Sequence, residues 1–279
     1  MTLESIWQDE KYHSLSPEQI ARLKEQGCTC NDWQQVKVIV DFNTDNVHSV
    51  HYSGRIRLGV FKEEVTFFGG ITTPSGIYNA SIHNCIIGNN VFISNIKNYI
   101  ANYIIEDNVI IDNIGLLAVE GESSFGNGIE VVSINEAGGR EIPIYDRLSA
   151  HIAYILAFYR HRSVVIEKLQ GIICNYAHSV TSSMGIVGKD ASIINSRIIK
   201  NVKIGPAAIL ECVTKLENGS INSCHEDSVY IGPGVCAKEF IISSGAKVSD
   251  GALLSKCFVG QGTELSRQYS AENSLFFAN

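Results

Sequence analysis

From Ile87 to Ile114 the chain repeats on itself every eighteen residues: I-G-N-N-V-F-I-S-N-I from Ile87 lies over I-E-D-N-V-I-I-D-N-I from Ile105. Ile87, Val91, Ile93 and Ile96 fall over Ile105, Val109, Ile111 and Ile114, and each unit divides into three hexads. An aliphatic residue opens a hexad, polar residues or glycine follow, and a smaller apolar residue returns four places later. A chain that repeats this way buries like side chains on like by stacking its turns, so the period predicts a parallel β-helix.

The hexads begin at Ile71, run through I-Y-N-A-S-I at Ile77, and resume near Gly185 with V-G-K-D-A-S at Val187, I-I-N-S-R-I at Ile193 and I-G-P-A-A-I at Ile204. After a polar excursion from Glu211 to Ser228 come I-G-P-G-V-C at Ile231, V-S-D-G-A-L at Val248 and V-G-Q-G-T-E at Val259. Asn and Gly crowd the positions between, where tight corners need positive φ. The predicted organisation is an N-terminal helical cap over 1–46, a first β-helix block over 47–115, an inserted arm and helix over 116–171, and a second block over 172–279. In the cap, Ser16 reads as N-cap, Pro17 as the first helical residue, Gln19 as the closing residue of a capping box, and Gly27 as the stop. In the insertion, alternation over Ile129–Ile134 between turn signals predicts a hairpin or arm. Pro143 then opens one long helix whose stripe of Ile144, Leu148, Ile152, Leu156, Tyr159, Ile166 and Leu169 runs to Gly171. The chain ends on the apolar Leu275-Phe276-Phe277-Ala278-Asn279, an open end that predicts a covering subunit or further sequence.

A hydrophobic share of 45% allows a large core, and no apolar run is long enough to span a bilayer. With a start that lacks an export signal, the expectation is a cytoplasmic protein without a membrane partner. A net charge of −7 argues against nucleic acid and favours small molecules or protein partners. The eight cysteines are scattered, which predicts reduced thiols.

Hexads of the form I-G-x-x-small-x over Ile71–Ile114 and Gly185–Glu264 resemble the left-handed β-helix of hexapeptide-repeat transferases, acyltransferases above all. S-S-M-G-I-V-G at Ser182 and N-S-L-F-F-A-N at Asn273 also resemble an uncharacterised bacterial family of long hexapeptide-repeat proteins. The resemblance implies a left-handed solenoid, assembly as a homo-oligomer such as a trimer, acetyl-CoA or another acyl-CoA as co-substrate, and a histidine that deprotonates an acceptor hydroxyl or amine. The acceptor class it suggests is a sugar, a nucleotide sugar or a similar small molecule.

No family motif selects among the eight histidines, so candidates rest on position. His178, where the inserted helix returns to the solenoid, is the first choice as base, with Asn175, Ser182 and Ser183 as nearby hydrogen-bonding groups. A surface corner histidine is the alternative. His225, on the polar excursion beside Glu226 and Asp227, is the second choice, against a solvated acidic loop. Arg160, His161 and Arg162 form a basic cluster that can meet a phosphate of coenzyme A or simply face solvent. Glu130, Asn135, Glu136 and Arg140 on the arm can bind a sugar, or constitute a charged hairpin. No set of histidines has zinc spacing, and His83 lacks partners at coil spacing, so no metal is expected. The competing functions are a non-catalytic scaffold or carbohydrate-binding solenoid, and part of a sugar nucleotidyltransferase.

Overall fold

A computed structural model describes residues 7, 10–67, 69–135 and 137–277. It is mainly β: a 21-stranded sheet wraps into stacked coils, parallel except at its first strand, Tyr12–Ser14, which runs antiparallel to Val36–Ile39. Ile86 pairs with Ile104 and Phe92 with Ile110, eighteen residues on, as the sequence period requires. After the insertion the spacing tightens to seventeen, as in Ser192 with Ile209 and Cys236 with Leu253. The polar excursion lengthens one coil, so that Ile209 pairs with Tyr230.

Three columns of side chains fill the interior. One passes through Leu58, Ile87, Ile105, Val187, Ile204, Ile221, Ile242, Val259 and Phe276. A second runs through Ile77, Ile93, Ile111, Ile193, Leu210, Ile231, Val248 and Leu265. The third contains Ile82, Ile100, Leu117, Ile199, Leu216, Ala237 and Leu254. All but the partly buried Phe276 are buried in one continuous core. Each hexad therefore supplies one apolar side chain to one column, and a coil of three hexads serves all three.

The corners explain the asparagines. Asn79, Asn84, Asn90, Asn95, Asn102, Asn108 and Asn113 all have φ between 48° and 60°. Glycine tolerates that conformation too, but Asn adds a side chain that bonds the next coil. Asn84 Nδ2 donates to Asn102 Oδ1 (3.3 Å), Asn102 Nδ2 to Val119 O (2.8 Å), and Asn113 Nδ2 to Asn195 Oδ1 (2.6 Å). The interior also holds side chains between these columns, and where one of them is an aromatic ring its neighbour on the next coil shrinks, as at Gly219 beside Phe240. A Cβ on Gly219 would lie 2.4 Å from the fully buried ring of Phe240, which has nowhere to move. Gly219→Ala should therefore cost about 1–3 kcal/mol through overpacking, seen as a lowered urea midpoint.

Helix α1, Pro17–Glu25, forms the predicted cap. The Ser16–Gln19 capping box is closed in both directions, and Gly27, at φ 79°, ends the helix with Cys28 N donating to Leu23 O and Gly27 N to Lys24 O. Leu23 is buried in the main core, so α1 covers the first coil. All eight cysteines are free.

The insertion leaves after the strand Leu116–Ala118 and returns at Gly185–Val187, which pairs with Tyr103–Ile105 as if nothing intervened. Its arm is a hairpin with Glu130–Val131 antiparallel to Ile142–Pro143. Two sequence expectations are corrected. Pro143 belongs to this hairpin and opens no helix. In place of one long helix there are α2, Ala150–Phe158, capped by Ser149, and α3, Ser163–Val180. Ile144 and Leu148 lie outside both helices, Leu148 closing a turn on Tyr145 O, yet they are buried in the same cluster as Leu156 and Ile166, so burial alone produces the helical-looking spacing. Gly171 lies inside α3, exposed, and a Cβ added to it would meet nothing within 4 Å. Gly171→Ala should raise stability by roughly 0.5–1 kcal/mol in a thermal melt, since glycine costs a helix interior that much. The insertion packs on the solenoid through Ile241 and Phe258. No helix among the described residues is long and apolar enough to cross a membrane.

Candidate functional site

Within the insertion a groove of about 470 Å³ lies between the C-terminal half of α3 (Gln170, Cys174, Ala177, His178) with Thr181, and the hairpin with the loop before it (Asn127, Gly128, Glu130, Pro143). The loop comes this close to α3 because Gly128, at φ 87°, has no side chain: a Cβ there would stand 3.2 Å from that of Ala177. Asn127, buried, holds the loop by donating Nδ2 to Ser124 O (2.9 Å) while its Oδ1 accepts from Asp146 N (2.8 Å).

Asp146 carries the next layer. Its carboxylate, 8% exposed, accepts from Tyr176 Oη (3.0 Å) and from Asn222 Nδ2 of the solenoid (3.0 Å), with Lys203 Nζ at 3.9 Å. Desolvation, reinforced by this carboxylate, pushes the Tyr176 phenol up to about 12, so it stays protonated and donating. The clamp fixes the C-terminal turns of α3 against the coils, and with them His178.

His178 Nδ1 lies 2.8 Å from Cys174 O. A carbonyl only accepts, so Nδ1 carries the proton and Nε2 keeps its lone pair free. Cys174 Sγ sits 3.5 Å from the same Nδ1. The groove thus offers an imidazole in the base-competent tautomer, a carboxylate, a carboxamide and a thiol on one concave surface.

His225 is placed differently from expectation. Glu226 and Asp227 do not orient it: Nε2 donates to Asp190 Oδ2 at 2.7 Å, and Asp227 instead accepts from Gln261. Desolvation opposes ionisation of Asp190, but hydrogen bonds from His225 and Asn108 outweigh it and hold the carboxyl below its ordinary value. The pair stands on an outer corner of the coils, with His225 half exposed and away from the groove.

Of the described arm candidates Glu130, Asn135 and Arg140, Glu130 lines the groove and the other two do not. Asn135 closes the hairpin tip, donating to Gly138 O and accepting from Ala137 N, and Arg140 lies 6.0 Å over the Phe158 ring. Glu136 lies outside the described residues. Asn175 and Ser183 stand outside the groove, and Ser182 Oγ is engaged with the backbone of Met184. The basic cluster does not converge. Arg160 Nη2 donates to Glu141 O (2.6 Å), His161 packs by Tyr159, and Arg162 faces a separate groove between α2 and α3. Gln170, Cys174 and Thr181 are missed from sequence because the apolar stripe fades at Gly171. Continued to Val180, the helix places Cys174 and His178 on one face at i and i+4.

Together these features define a parallel β-solenoid interrupted by a hairpin and two helices, with a histidine-bearing groove inside that insertion. The chain belongs to the family described as Domain of unknown function (DUF4954), which matches residues 12–279. It is similar to an uncharacterized protein of Treponema pallidum (strain Nichols), 27% identical over 248 residues that cover 85% of this chain and 34% of that protein. The chain therefore spans about a third of that relative's length.

Proposed function

We propose that this solenoid is an acyltransferase of left-handed β-helical hand, moving an acyl group from acyl-CoA to the hydroxyl or amine of a sugar, nucleotide sugar or similar small acceptor. The handedness and the acyl-CoA donor come from the hexad resemblance. The observation that carries the reading is His178, whose Nδ1–H is committed to Cys174 O while Nε2 is free in a groove it shares with Glu130 and Gln170. In this reaction Nε2 takes the acceptor's proton as its oxygen or nitrogen attacks the thioester carbonyl. The tetrahedral intermediate collapses, the C–S bond breaks, and the coenzyme A thiolate leaves with the proton from the imidazolium. The Gln170 carboxamide is the donor offered to the developing oxyanion, and Glu130 binds acceptor hydroxyls.

The test is chromatographic detection of coenzyme A released from acetyl-CoA against a panel of sugars and nucleotide sugars, alongside melting curves with each ligand. Acceptor-dependent release, with a raised melting temperature for at least one ligand, is expected. No release and no shift across the panel would reject acyl transfer. It would instead support the non-catalytic scaffold reading, which the structural employment of Asn135, Arg140 and Arg160 favours, whereas a shift with a sugar but no release would support a carbohydrate-binding solenoid.

A further inference from the structure

Helix α2 is apolar around its whole circumference apart from His151. Ala153, Leu156 and Ala157 are buried, yet Tyr154 is 55% and Phe158 51% exposed, and in the first turn of α3 Val164 and Val165 are exposed as well. A helix apolar on all sides is normally covered on all sides, and here one side is bare. Between the two helices this bare side forms a groove of about 660 Å³ walled by Tyr154, Ile155, Tyr159 and Val165, with His151 and Arg162 as its polar groups. Small-molecule sites have this volume and this make-up: apolar walls and a few placed polar groups.

The charged and titratable side chains that line the groove, Arg162 and His151, are both basic, and the stretch that carries them lies between Asp146 and Glu167. From Arg147 to Ile166 the chain has Arg147, Arg160 and Arg162, His151 and His161, and no Asp or Glu, although the whole protein carries a net −7. Arg160 is spent on Glu141 O, but Arg162 has no carboxylate partner among the described residues. A guanidinium without a partner at the mouth of an apolar groove is a ready bidentate donor to a carboxylate or phosphate.

We propose that the α2–α3 groove binds a single-chain anionic amphiphile, its alkyl chain against Tyr154, Ile155, Tyr159 and Val165 and its acidic head on Arg162, with His151 at the rim. A second copy of the chain fits worse: a two-fold contact would press the basic stretch against its own image, with no acid within it to compensate. A flat bilayer surface fits worse too, because the apolar walls are concave. The site is independent of the acyl-transfer reading, since His178 lies thirteen residues beyond Val165, about 20 Å along α3.

Calorimetric titration of the whole chain with dodecanoate, below its micelle concentration, tests this. The expected result is saturable one-to-one binding that weakens about tenfold or more in Arg162→Gln and in Val165→Glu, about 1.4 kcal/mol or more. Both positions are exposed, so the two variants should melt like the parent, and neutral decanol should bind more weakly than decanoate, which has the same chain length. Absence of saturable binding, or equal binding by both variants, overturns the proposal. So does a parent dimer that Val165→Glu dissociates in sedimentation without any dodecanoate binding, which assigns the groove to self-association. Attachment to phosphatidylglycerol vesicles with no binding of monomeric dodecanoate also overturns it, assigning the groove to a membrane surface.

Discussion

Ile111→Asp is expected to abolish folding. Ile111 lies between Ile93 and Ile193 in an interior column, and all three are fully buried. A carboxylate there meets only aliphatic neighbours, so it must either ionise without a partner or stay protonated without a hydrogen bond. Either state costs several kcal/mol, on the order of the 5–15 kcal/mol that typically holds a folded domain together. A graded series separates this from a nonspecific effect. Ile111→Val should cost about 0.5–1.5 kcal/mol and Ile111→Ala about 2–5 kcal/mol by transfer and cavity terms. Loss of the circular-dichroism melting transition only in the aspartate variant is the pattern expected. A folded Ile111→Asp protein with a near-normal transition would place this side chain outside the core.

The second large effect is catalytic. With acyl transfer assayed as coenzyme A release, His178→Ala should lower turnover by about 10²–10⁴, the usual contribution of a positioned general base. The helix should survive, because His178 is exposed and its bond to Cys174 O closes no buried gap. His225→Ala should change turnover by no more than about threefold, since removing a half-exposed corner side chain touches no reacting group. Unchanged turnover in His178→Ala with loss in His225→Ala would transfer the base to the Asp190-oriented histidine.

These two predictions draw on different depths of the sequence. The columns can be read directly, because every coil must return an apolar side chain to the same interior position: Ile87 and Ile105 stack as their spacing requires. The asparagine corners are equally legible up to Asn113. Beyond the insertion, Ala207, Cys212, Glu239 and Lys256 take the same positive φ without any compositional sign of it, because the ladder on either side imposes the bend. The insertion is the least legible part. No glycine or proline marks the turn at Arg160–Arg162 that separates α2 from α3, and the buried but non-helical Ile144 and Leu148 supply a false helical period. The groove is half visible. His178 and Glu130 stand out by residue type and position, but their meeting depends on Gly128 and on the Asp146–Tyr176–Asn222 clamp, contacts between residues 30 to 76 positions apart. The Asp190 partner of His225 is hidden for the same reason, 35 positions away on another coil.

The most direct measurement concerns the register across the insertion, where Asp112 is paired with Ile194 on adjacent coils. Neighbouring strands lie about 4.8 Å apart, within reach of a disulfide, so the double variant Asp112→Cys, Ile194→Cys should cross-link on mild oxidation and yield the joined peptides by mass spectrometry. The pair Asp112→Cys, Ser192→Cys, displaced two residues along the strand, should cross-link far less. Efficient bonding in the displaced pair, or none in the aligned one, would contradict the stacking of coils from which both the columns and the groove follow.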